Sequence, residues 1–220
     1  MRPRACKHLA CRLAGRSTRV RCGRAPVTFT LGVKTKMHAL LDQIEGSLAS
    51  KLYFLSLYTS LSVPDIAGAL CSANGEASGK KYIAWYETWV RPRFAENANA
   101  GLPPEVRAYA TKLENPLDGE SCYQFRCSLL HQGRTDHPKS KFGRIIFIEP
   151  GATTGMVHYC LMNNALCIDL PSFCKEMLQG ARAWLASQGD DPTVKANLAN
   201  SAQRYPAGLR PYIGGVAVIG

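Results

Sequence analysis

The sequence predicts a mainly α protein, an antiparallel helical bundle with a small antiparallel β meander inserted late in the chain. Three observations carry this. Apolar residues recur three and four apart in several segments between Ala39 and Leu130. The period then falls to two between Arg144 and Leu170. Helical spacing returns from Pro171 onward.

The elements follow in order. Leu41, Ile44, Leu48, Leu52 and Leu55 predict one long amphipathic helix from Ala39 to about Leu61, closed by Ser62-Val63-Pro64. Asp65 then caps a short turn through "IAGAL", and "SANGEASGK" is a polar loop. A second helix begins near Gly79 and ends at Arg91-Pro92. Its Tyr82, Trp85, Tyr86 and Trp89 lie at helical spacing, which marks a core stripe rather than a base-stacking platform. "LPPEVRAYATKLE" is a third helix, and Asp118 caps a fourth that Gly133 ends in the left-handed conformation. "RIIFIEP", "VHYCLM" and "ALCIDL" are strands, with Asn163-Asn164 as the turn between the last two. Pro171 opens a helix closed at Gly189, and Asp191-Pro192 opens a last one running to about Arg204. The domain organisation is a basic arm over 1–36, a helical domain over 37–205 with the β insertion near 144–170, and an unassigned apolar tail over 206–220.

Charge narrows the function less than it first promises. The formal net charge of +11 suggests a nucleic-acid binder, but ten of the 27 Lys and Arg lie in residues 1–36, which hold no acidic residue. The remaining 17 basic residues face 16 acidic ones, so the folded part is near neutral. The arm reads as a disordered basic segment, an Arg-rich transit segment, or sequence upstream of a start at Met37, where periodicity begins. No stretch approaches the ~20 apolar residues of a membrane span, and the expectation is a cytoplasmic protein. The nine cysteines form no CxxC and read as thiols. Cys6, His8 and Cys11 lack a second ligand pair, so no zinc site and no other cofactor is expected. "GEASGKK" fails as a phosphate loop: its spacer is one residue short, and Lys81 stands where a hydroxyl should bind magnesium.

"YQFRCSLLHQG", residues 123–133, carries the chemistry. Arg126 and His131 lie about 140° apart around the helix and share no single face. A guanidinium and an imidazole a turn and a half apart can still frame one cleft. Arg, four residues, then His near a helix end resembles the R-x4-6-H motif of the HEPN superfamily, over roughly residues 38–190. The resemblance implies a helical bundle, typically dimeric, many members being metal-independent endoribonucleases in toxin–antitoxin, phage-defence and RNA-processing systems. Arg and His of two protomers there build a composite site. It implies Arg126 as phosphate binder and His131 as general acid or base. The expected partners are RNA, a second copy, and a protein partner such as an antitoxin. That chemistry is coherent: the 2′-OH must lose a proton, the 5′-oxygen must gain one, and the phosphorane charge needs a fixed fork of donors.

Tyr123 beside Arg126, and the loop cations Arg134, Lys139 and Lys141, are the further candidate substrate contacts. The same residues also admit bland readings. Arg126 would pair with Glu120 or Asp118, His131 would cap its helix, and His137 would lie in a solvated loop. His158 would pack or sit on a strand edge. Cys127 follows Arg126 where active relatives commonly carry a polar residue such as Asn. This favours the alternatives of a non-catalytic nucleotide- or protein-binding module, or a structural dimer.

Overall fold

The computed structural model describes residues 36–110, 113–151 and 157–220. The basic arm, with Cys6, His8 and Cys11, lies outside the described residues. The chain is mainly helical, and most helices end where caps dictate. Helix α1 (Lys36–Ala49) and α2 (Tyr53–Leu70) replace the single long helix expected from periodicity. The break is a Schellman closure: Lys51 takes φ 60°, its N–H bonds the Leu48 carbonyl, and the Leu52 N–H bonds the Ser47 carbonyl. A buried hydroxyl pair, Ser47 with Ser56 at 2.8 Å, joins the two helices across the corner.

Helix α2 then runs through Pro64 instead of stopping before it. The proline leaves the Ser60 carbonyl without its helical donor, a cost of about 3 kcal/mol in an exposed helix. Burial of Leu61, Val63, Ala67 and Leu70 offsets that cost, each large side chain contributing about 1.5–3 kcal/mol. Asp65 is therefore a mid-helix residue, not the cap of a separate turn.

Helix α3 (Gly79–Trp89) starts at Ser78, whose hydroxyl accepts from the Lys81 N–H. Tyr82 and Tyr86 are fully buried, as the core reading of that stripe expected. Helix α4 (Arg93–Ala100) was not anticipated; it has no buried residue and docks through Asn97 on Gln179. Helix α5 (Pro104–Ala110) is the described part of the third expected helix. Helix α6 (Gly119–Gln132) is capped by Asp118 on the Ser121 N–H and closed by Gly133 at φ 66°. No side chain adopts that φ as readily as glycine.

Strands β1 (Arg144–Ile148), β2 (Cys160–Met162) and β3 (Ala165–Asp169) form one sheet in the order β1-β3-β2. The expected antiparallel meander is half right. Strands β2 and β3 make an antiparallel hairpin on Asn163-Asn164, both at positive φ, whereas β1 pairs parallel to β3. The 16 residues between β1 and its parallel partner β3, 149–164, are enough to cross over, which a meander's tight turn is not. One sheet face, Ile145, Phe147, Leu166 and Ile168, meets Phe125 of α6 and Phe173 of α7.

Helix α7 (Leu170–Gln188) is capped by Asp169 and buries Phe173, Met177, Ala181 and Trp184. Helix α8 (Pro192–Ala199) ends earlier than expected. The Lys36 ammonium at the start of α1 donates to the carbonyls of Ala199, at 2.7 Å, and Ser201, at 2.8 Å, joining α1 to the end of α8. The tail forms two small ladders, β4 (Arg204–Tyr205) with β7 (Val218–Ile219), and β5 (Gly208–Leu209) with β6 (Ile213–Gly214). Among the described residues no helix is long and apolar enough to cross a membrane.

Helix packing gives a prediction of unusual sign. Gly to Ala in a helix interior ordinarily stabilises by about 1 kcal/mol. At Gly180 the new Cβ would stand 2.6 Å from the Trp89 carbonyl oxygen and 3.0 Å from Val90 Cγ2. Gly180→Ala is expected to lower the thermal midpoint, by about 1–3 kcal/mol of overpacking, in a circular-dichroism melt.

Candidate functional site

The only charged residue in the 18-residue helix α2 is Asp65. A carboxylate on an otherwise apolar helix needs a partner when it is largely buried. Arg126 of α6 supplies it, with Nε 2.7 Å from Oδ2 and the two side chains only 18% and 17% exposed. Neither atom is aligned for a hydrogen bond, so the contact is an ion pair. Burial pushes the Asp65 carboxyl above its ordinary value, with Arg126 and then His131 pulling against it. Asp65, not Glu120 or Asp118, is thus the partner of Arg126.

The other edge of the guanidinium faces outward. Its Nη1 lies 2.8 Å from His131 Nε2, although the residues are five apart; the long arginine stem closes the angular gap. Guanidinium only donates, so Nε2 is the acceptor in this contact. Gly133 ends the helix two residues later and leaves His131 exposed.

Tyr123 stands one turn before Arg126. Its ring packs on Tyr82 at 5.3 Å, in space that Gly79 leaves open. The neighbouring Cys127 thiol, by hydrogen bonding, holds the Tyr123 phenol above its ordinary value, and partial burial adds to this. Arg126 Nη1 reaches Cys127 Sγ only at 4.0 Å, a weak contact. The structure therefore gathers Asp65, Tyr123, Arg126, Cys127 and His131.

Two of the loop cations pair with carboxylates of their own. Lys141 pairs with Asp118 at 2.6 Å, and Asp118 precedes the first turn of α6, about 20 Å along the axis from His131. Arg134 is exposed and pairs with Asp136 at 3.2 Å. Lys139 is exposed in the loop, where its N–H bonds His137 Nδ1 at 3.1 Å. His158 lies just before β2 and is nearly buried. It bonds Glu176 at 3.2 Å, beside the Tyr159 hydroxyl, which bonds the same carboxylate at 2.7 Å. This second cluster pins the β1–β2 connection to α7.

Sequence reasoning missed Asp65 as a member of the site, and the signal was present: one charge in a helix of apolar and small residues. Among the described residues no group of three His, Cys, Asp or Glu is disposed to hold a metal ion. No family model, curated protein or solved structure matches the chain.

The two ion pairs on α6 behave differently. Removing one partner of a well-buried pair costs about 3–5 kcal/mol, and residual exposure reduces this. Asp65→Asn is expected to cost about 1–3 kcal/mol, with a coupling to Arg126→Met of about 1 kcal/mol or more in a urea double-mutant cycle. Asp118 titrates with the opposite sense to Asp65. Burial alone would raise it, but the Lys141 ammonium and the Ser121 N–H outweigh burial and hold it below 3.8. A depressed carboxyl contributes stability that is present above the unfolded value and lost as pH falls through the folded one. The urea midpoints of the parent and Asp118→Asn are therefore expected to differ near neutrality and to converge as pH falls through the depressed folded value.

Proposed function

We propose that the chain is a HEPN-like helical protein that cleaves RNA without a metal, with Arg126 binding the scissile phosphate and His131 moving the proton. The observation that carries the reading is the 2.8 Å contact between Arg126 Nη1 and the exposed His131 Nε2. A phosphodiester entering there would compete for the same guanidinium edge, since Arg matches two phosphate oxygens at once. Taking Nη1 releases Nε2, which then accepts the 2′-hydroxyl proton. The oxygen attacks phosphorus, the P–O5′ bond breaks, and the products are a 2′,3′-cyclic phosphate and a 5′-hydroxyl. Asp65 holds the opposite edge of Arg126 and keeps its fork turned outward.

One imidazole serves as base or acid in a given step, not both. A second copy of the chain supplies the other, which makes the active form a homodimer with two α6 helices facing one cleft. The setting that fits this activity is the cytoplasm, with an inhibitory protein partner. Here α6 packs on α2 and α3, while His131 and Gln132 at its end stay exposed.

A second reading rests on a separate observation. Asp65 neutralises Arg126 and Cys127 is a poor donor, so the cluster also suits a non-catalytic module that holds a nucleotide or stabilises the fold. Incubation with end-labelled RNA in EDTA separates the two. Cleavage to 2′,3′-cyclic phosphate ends is expected, falling at least 10²-fold in His131→Ala and vanishing on all-deoxy substrate. His131 is exposed, so that variant should melt as the parent does. Undiminished cleavage by His131→Ala, or none by the parent, defeats the nuclease assignment.

A further inference from the structure

We infer that Cys160 and Cys167 are a reversible disulfide site on the outer face of the small sheet. In the β2–β3 hairpin these residues are direct cross-strand partners. Directly opposed residues of an antiparallel pair project from the same face. The opposite face, with Ile145, Leu166 and Ile168, is buried in the core, so the thiols lie on the side of Ile146 and Met162, both of which are exposed. The register cannot drift: slipping β2 and β3 by one residue would turn Leu166 and Ile168 out of the core. Asn163 and Asn164, at φ 48° and 63°, hold the two-residue turn that sets it.

The spacing is within about 1 Å of what a bond needs. Met162 and Ala165 flank the turn as a hydrogen-bonded pair, and the alternation makes Cys160 and Cys167 another, with Cα atoms about 5.5 Å apart. Disulfides span Cα separations of about 4.4–6.8 Å and need the Cβ atoms within about 4.5 Å, an approach of about 1 Å from a typical cross-strand distance. Strand β2 has three residues and one neighbouring strand, so it can make that approach.

Adjacency rather than exposure singles out this pair, since Cys71 is exposed and Cys167 is buried. Cys160 is half-exposed, and Cys167 borders an open cavity of about 570 Å³ beside Ile146 and Met162. Cys122 and Cys174 are sealed in the core, where burial pushes their thiols up to about 12 and about 11. A thiol so protonated is a poor nucleophile. The oxidant class is a hydroperoxide. The Cys160 thiolate attacks hydrogen peroxide, an S–O bond forms, the O–O bond breaks, and the departing hydroxide leaves as water. The Cys167 thiolate then attacks that sulfur, the S–S bond forms, and the sulfenic oxygen leaves as a second water. The two sulfurs lose two electrons, and a reducing dithiol returns them.

The bond would tie β2 to the strand that leads into α7 through the Asp169 cap, next to the connection that His158 and Tyr159 pin on Glu176. It is independent of any nuclease activity. The test takes the full chain, reduces it, removes the reductant and adds hydrogen peroxide. Without reduction, trypsin releases the segment between Arg144 and Lys175, chymotrypsin cuts between the two cysteines after Leu161 or Leu166, and mass spectrometry reads the joined peptides. A Cys160–Cys167 link that dithiothreitol reverses is expected, lost in Cys160→Ser and retained in Cys71→Ser. A parent chain that instead shows only over-oxidised Cys160, or links Cys160 to another cysteine, overturns the proposal.

Discussion

A single carboxylate constrains how the helices meet. Asp65 lies among Pro64, Ile66, Ala67 and Gly68, and no other charge on α2 can serve it. Leaving it unpaired at 17% exposure would cost several kcal/mol, so α6 must dock with Arg126 against that point. Once docked, the guanidinium has one edge committed inward and the other turned to His131. The pair adds little net stability, since desolvating two ions largely cancels their attraction. Its effect is on geometry: it fixes the orientation of a flexible side chain at the only place where α6 presents an imidazole.

Where the sequence was legible, a local physical device was visible in it. Asp118 and Asp191 each cap the helix that follows, and Gly133 and Asn163-Asn164 occur at positive φ. Where it was not, tertiary packing overrode local preference. Nothing in "SLASKLYF" announces a break, because Lys51 occupies a position glycine normally fills. Pro64 announced a stop that burial around it cancelled. Helix α4 buries none of its own residues, so it has no apolar stripe to read. The parallel pairing of β1 depends on where a long connection goes, which strand periodicity does not encode.

The site divides along the same line. Arg126 and His131 lie on one helix, and a pattern on one helix is visible in one stretch of sequence. The members that depend on tertiary contact were harder. Asp65 is 61 residues away from Arg126, and its only sign was its isolation. Arg134, Lys139 and Lys141 looked like an RNA-facing cluster because they are close in sequence, but local carboxylates neutralise two of them. The formal charge of the loop overstates its field for this reason.

The Asp65 ion pair also limits how strongly the cluster could hold a phosphate, without abolishing the attraction. Taking an effective dielectric of about 20 near the surface, an anion about 4 Å from the guanidinium gains roughly 4 kcal/mol. Asp65 sits on the inner edge, so an anion at the outer edge is about 7 Å or more from it and loses roughly 2.4 kcal/mol. The difference is a modest net pull, weaker than that of an unpaired arginine, and it falls further as salt screens the exposed side. One copy of the cluster is therefore a weak anion site. On the proposed nuclease reading, two copies sharing one phosphodiester would roughly double the pull and supply both imidazoles.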